Sequence, residues 1–206
     1  TQAMLVASLQ GLRQDKLPFD KRAQMIATPQ AIEPLWQGLA NGLGLLGAAL
    51  PEHLGGMGGG LPEQLLICQA LGAALVAEPY SSSAVLGATL LQALGDPAAD
   101  ALLQGLADGQ VRLAVAALEP AGRTDLSQVL TRLHNSDGQL HITGRKALVR
   151  GAPGATHWLV SARDDAGQLS ICLIDPSATG VQQRDVRLID GAWAAELAFD
   201  QTPVQA

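Results

Sequence analysis

The chain changes its hydrophobic period once, near Val111, and that change restricts it to a fold of two unlike parts. Before Val111, apolar residues recur at intervals of three and four, the spacing that lines them along one face of a helix. After it, short segments rich in Val, Ile, Thr and Leu are separated by turn residues, the pattern of strands. The spacing predicts helices over 2–14, 29–39, 62–75, 84–94 and 97–106. Pro62 and Pro97 suit a first helical turn, while Gly95 and Gly109 suit a helix end. Strands are expected over 112–118, 129–134, 139–143, 156–162, 169–174 and 194–199. Asn135-Ser136-Asp137-Gly138 and Asp164-Asp165-Ala166-Gly167 supply tight-turn signals between them. Strands joined by turns, with no helices between, point to an antiparallel barrel or sandwich. The expected class is therefore α+β: an all-helical domain over 1–110, then an antiparallel β-barrel-like domain over 111–206.

Composition narrows the function classes. Apolar residues make up 48% and charged residues 16% of 206 positions, which argues against disorder and allows a real core without disulfides or metals. The net charge of -6 with dispersed basic residues gives no footprint for nucleic acid. A local Arg pair can still hold a phosphate on an acidic protein. No apolar run approaches the roughly 18 residues of a membrane span. No basic stretch leads into an apolar one after Thr1, so no secretory signal is expected, although a processed start stays compatible. Cys68 and Cys172 are too few for a disulfide framework and fit buried thiols in a reducing, cytoplasmic setting.

Two glycine motifs need weighing. Gly42-Leu43-Gly44-Leu45-Leu46-Gly47 spells the dinucleotide fingerprint, but that fingerprint needs a strand before it and a helix after it. Here a helical segment precedes it and Pro51 soon follows, so the nucleotide reading fails its context test. Gly55, Gly56, Gly58, Gly59 and Gly60 read alone as a flexible loop between helices.

With its neighbours, that loop carries more. The stretch from Leu45 through Pro51-Glu52-His53-Leu54-Gly55-Gly56-Met57-Gly58 resembles a signature of the acyl-CoA dehydrogenase family. So do Ala77-Glu78-Pro79-Tyr80, then Glu119-Pro120-Ala121-Gly122-Arg123-Thr124-Asp125, then Gly144-Arg145-Lys146 with Val149, Ala152 and Leu159-Val160. The pieces are individually short and occur in the family's order along nearly the whole chain.

The resemblance implies a helical domain, a β-barrel domain and a C-terminal four-helix bundle, assembled as dimers or tetramers around FAD. It implies oxidation of the Cα–Cβ bond of an acyl-CoA thioester: a carboxylate removes the α-proton while flavin accepts the β-hydride. The family's usual catalytic Glu lies in the bundle that would follow Ala206, so the resemblance assigns no catalytic residue here. It places Val115, Ala117, Leu118, Arg123, Thr124, Leu148 and Arg150 at cofactor-facing positions. Leu118 stands where a hydroxyl usually meets the flavin, and Val115 where an aromatic is common. Arg123-Thr124 replaces Gly-Ser, Leu148 replaces a Trp that covers the ring, and Arg150 replaces a Ser or Thr. These changes predict weak or absent FAD binding by this chain alone.

Other residues are given plainer roles. His134, His141 and His157 lack metal-ligand spacing, and Asp164-Asp165 reads as a solvated turn. Ser81-Ser82-Ser83 suits a helix cap. Trp158 and Trp193 suit a barrel core. The leading expectation is an acyl-CoA dehydrogenase family subunit, oligomeric with like subunits. One alternative is a non-catalytic structural subunit with a degenerate flavin site, completing a heteromer. Another is a small acyl- or CoA-binding module without redox chemistry.

Overall fold

The computed structural model describes residues 7–9, 11, 22–77, 79–122, 124–136 and 138–205. Most of the expected first helix, together with Glu78, Arg123 and Asp137, lies outside the described residues. The chain divides into two compact units, 1–112 and 113–206.

In the first unit the helices are α1 (Arg22–Met25), α2 (Glu33–Gln37), α3 (Leu61–Ala73), α4 (Ala88–Leu94) and α5 (Asp100–Ala107). A 3-10 turn, Pro29–Ile32, leads into α2, and a π turn, Gly38–Gly42, follows it. Pro62 opens α3, where the Gly60 amide donates to the Glu63 carboxylate at 2.8 Å. Gly95 closes α4 in the left-handed conformation that glycine tolerates best. Trp36, Leu39, Ile67 and Leu106 are fully buried in this unit. The Trp36 indole donates to the Gly109 carbonyl, and the Arg112 guanidinium lies over its ring at 5.2 Å. The serine run is helical rather than capping. A π segment, Ser81–Gly87, runs into α4, and the Ser82 hydroxyl donates back to the Pro79 carbonyl.

The glycine loop is tightly tied. Amides of Gly56, Met57, Gly58 and Gly59 donate to carbonyls of Pro51, Gly47, Leu50 and Ala48 at 2.9–3.1 Å. A Cβ on Gly56 would fall on the Leu50 carbonyl oxygen. Close backbone approach explains this glycine, and the loop is a packed element.

The second unit is a mixed sheet of seven strands. They are β1 (Leu113–Ala116), β2 (Arg132–Ser136), β3 (Gln139–Arg150), β4 (His157–Arg163), β5 (Leu169–Ile174), β6 (Val181–Arg187) and β7 (Trp193–Pro203). The order is β1-β4-β2-β3-β7-β6, with β5 also on β4. Most pairings are antiparallel, as the turn signals require. The pairing of β1 with β4 is parallel, because the chain returns to β1 only after the long path through β2 and β3. Strand β5 takes one edge of β4, so β1 and β2 share the other in tandem. β6 has no counterpart among the expected strands: five of its seven residues are exposed and polar, and its two half-buried valines, Val181 and Val186, do not alternate. The core holds Trp158, Val160, Ile142, Leu197 and Phe199, with Trp158 edge-on to Phe199 at 6.3 Å. Trp193 is only half-buried.

Candidate cofactor-facing site

Between β1 and β2 the chain leaves the sheet over 117–131, and the polar chemistry of the unit gathers at the base of that excursion. Glu119 is 4% exposed. Its Oε1 accepts from the Thr131 amide at 2.9 Å, the Thr131 hydroxyl at 2.8 Å and the Lys146 ammonium at 2.7 Å. Its Oε2 accepts from the Leu130 amide at 2.8 Å. Lys146, fully buried on β3, also donates to the Ser161 hydroxyl on β4 at 2.9 Å. Burial pushes the Glu119 carboxyl up, and the bonds from Lys146, Thr131 and Leu130 outweigh it, holding the carboxyl below the usual range. Burial pulls the Lys146 ammonium down, against the attraction of Glu119. The neighbouring Cys172 thiol is pushed up to about 11 by burial, which leaves it un-ionised at neutral pH. Gly144 makes room for this arrangement, since a Cβ there would lie 2.7 Å from Thr131 Cα.

Two residues along β3 the environment reverses. Lys146 faces Leu197 and Val149 faces Ala195, so three steps on β3 oppose two on β7. The extra residue makes a β-bulge at Ala147–Leu148. Leu148 adopts φ 52, uncommon for a residue with a branched side chain, and is 49% exposed. The Ala147 amide donates to the Leu118 carbonyl at 2.9 Å, which ties the excursion to the bulge. Arg150 is back in register opposite Ala194, and its guanidinium pairs with Asp190 at 2.8 Å. That bond, with one from the Ala192 amide, holds the Asp190 carboxyl below its usual range.

The structure therefore brings Leu118 to the bulge that holds Leu148, two residues before Arg150 on β3, with Val115 half-buried on β1 opposite Leu159 and Ala117 half-buried just beyond the strand. Thr124 is exposed on the excursion, and Arg123 lies outside the described residues. Leu118 and Leu148 offer hydrocarbon only, and the Arg150 guanidinium is engaged. The motif comparison passed over the buried network, although Glu119 and Lys146 fall inside the motif segments. The available signal was Lys146 at the same strand parity as Ile142 and Gly144, an inward position that demands a counter-charge. His134 and His141 pair directly across β2 and β3 with stacked rings 6.0 Å apart, and His134 also meets Gln201. Among the described residues, no group of three or more His, Cys, Asp or Glu is arranged to hold a metal. No helix among them is long and apolar enough to cross a membrane.

A helical domain followed by a mixed β domain with a Glu-Pro excursion defines the class of protein. Residues 1–110 match the N-terminal domain of acyl-CoA dehydrogenases and residues 114–202 match the middle domain. The chain belongs to the acyl-CoA dehydrogenase family. It is 31% identical over 166 residues to benzylmalonyl-CoA dehydrogenase of Aromatoleum aromaticum, covering 77% of this chain and 44% of that protein. Among solved structures it is similar to the Tcur3481-Tcur3483 steroid ACAD G363A variant, at TM-score 0.86 and 31% identity over 100% of this chain and 57% of that one. It shares its fold with an acyl-CoA dehydrogenase complexed with FAD from Bacillus anthracis, at TM-score 0.87 and 21% identity over 98% of this chain and 36% of that one. The chain thus spans about half the length, or less, of the proteins it matches.

Proposed function

We propose that this chain is a subunit of a cytoplasmic acyl-CoA dehydrogenase assembly that carries out flavin-dependent α,β-dehydrogenation of an acyl-CoA thioester. The observation that carries the reading is the pair of family domains, matched over 1–110 and 114–202 in the family's order; we assign the two domains to 1–110 and 111–206. The positions we assign to the cofactor are Val115, Ala117, Leu118, Arg123, Thr124, Leu148 and Arg150. Three of these side chains do not fit a flavin well. Leu118 has no donor, Leu148 turns to solvent, and Arg150 is held by Asp190. A buried flavin acceptor left unpaired costs about 1–3 kcal/mol. FAD binding by this chain alone is therefore expected to be weak or absent.

That misfit favours a second form of the same reading: a structural subunit in a heteromer whose sister subunit holds the flavin. The joined name of the Tcur3481-Tcur3483 steroid ACAD supports a two-component assembly. The deciding experiment is purification of the native assembly, with flavin counted per copy of this chain by absorbance. One flavin per copy, lost on substitution in this chain, supports a catalytic subunit. Flavin that stays with a sister subunit alone supports the structural one. An assembly that oxidises no acyl-CoA sinks both.

A further inference from the structure

The Glu119 carboxylate contacts the chain twice, at its own position and eleven to twelve residues later. Both ends of the excursion thereby meet at one pair of oxygens: Leu130 on Oε2, and Thr131 on Oε1 through both amide and hydroxyl. Beyond that base the bonds described are mostly short-range, such as Asp125 with Ser127 and Gln128, with one long-range contact at 3.4 Å from the Arg163 guanidinium to the Ser127 carbonyl. Thr124, Asp125 and Leu126 at its tip are exposed. The far end is pinned to the sheet, because the Arg163 amide of β4 donates to the Thr131 carbonyl at 2.9 Å. A neutral carboxyl would turn one of its acceptors into a donor and lose part of this clasp. A buried carboxylate needs a paired charge, and Lys146 provides it.

We propose that Glu119, kept charged by Lys146, is a positioning residue that closes the base of the 120–130 loop and so fixes where the loop presents Thr124 to the cofactor. The proposal rests on the reading that this loop faces FAD. It adds that the base of the loop is closed by a buried carboxylate.

Hydrogen–deuterium exchange of the full chain tests it. Glu119→Gln keeps one acceptor oxygen. Glu119→Leu with Lys146→Met removes both charges, a change that buried ion pairs often tolerate without loss of the fold. The segment 120–131 should exchange at least about tenfold faster in the double variant and by a smaller factor in Glu119→Gln, while β5 and β6 change by less than about twofold. Equal acceleration of loop and strands would reduce the pair to an ordinary core ion pair and overturn the proposal, as would an unchanged loop. FAD added in large excess should slow exchange of this segment in the parent and much less in the double variant. Equal slowing in both overturns the positioning role. No slowing in the parent agrees with a chain that binds no FAD alone and removes the cofactor part of the proposal for the isolated chain, while the clasp is judged by the first comparison.

Discussion

Lys146 and Leu148 lie two residues apart on one strand and obey different rules. Lys146 is fully buried, with its ammonium bonded to Glu119 and Ser161. Leu148 is half exposed, in a left-handed bulge, with no polar group to offer. Folding itself requires the first arrangement, because an unpaired charge in the sheet interior is costly. Folding makes no demand on the side chain at the second, where only a ligand would. The two positions thus separate what the fold requires from what only a bound ligand would require, and the proposed structural role of this chain turns on the second.

The largest effect should come from breaking the frame on one side. Lys146→Met leaves Glu119 buried without its counter-charge and should destabilise the chain by about 3–5 kcal/mol. Denaturant unfolding measures this, and a loss below about 1 kcal/mol would erase the distinction drawn between the two positions. Acid tests the same pair. The folded Glu119 carboxyl titrates below the usual glutamate range, so its contribution is complete above that range and disappears as pH falls through the folded value. Stability of the parent should fall through this acid window more steeply than that of Glu119→Gln. Parallel acid limbs would count against an ionised Glu119.

The frame was only partly legible in the sequence. The change of period at Val111 was visible because helical and strand spacing are local properties. The parallel contact of β1 with β4 was not, since a turn-rich pattern predicts neighbours in sequence and says nothing of Leu113 pairing with His157, 44 residues on. β6 was hidden by Gln182, Gln183, Arg184 and Asp185, an exposed edge that carries no period. At the proposed site, the motif comparison singled out Leu118, Leu148 and Arg150 but gave no hint of the bulge, because one extra residue in β3 appears only against the register of β7. Asp190, the partner of Arg150, lies forty residues away on the turn before β7, beyond any motif.

Restoring ligand chemistry at the second position should give an intermediate effect. Leu118→Thr with Leu148→Trp returns a hydroxyl and a stacking face. If each contributes about 1 kcal/mol, FAD affinity should rise by roughly thirtyfold. Calorimetric titration of parent and double variant checks it. A gain would mean that the frame is intact and only side chains were missing, whereas micromolar binding by the unaltered chain would show that backbone contacts suffice.

The smallest effect is expected at Arg150, and it sharpens the comparison from the other side. Arg150 and Asp190 form an ion pair as short as that of Lys146 and Glu119, 2.8 Å against 2.7 Å, but both partners are about half exposed. Water and salt screen such a pair, and its contribution should fall below about 1 kcal/mol. Asp190 also accepts from the Ala192 amide, so Asp190→Ala alone would mix the loss of a turn bond with the loss of the ion pair. A double-mutant cycle of Arg150→Ala and Asp190→Ala removes that ambiguity. The coupling should be under about 1 kcal/mol in dilute buffer and fade toward zero in molar salt. A coupling near that of the buried pair, or one indifferent to salt, would mean that the bulge edge belongs to the frame, and the division between the two positions on β3 would fall.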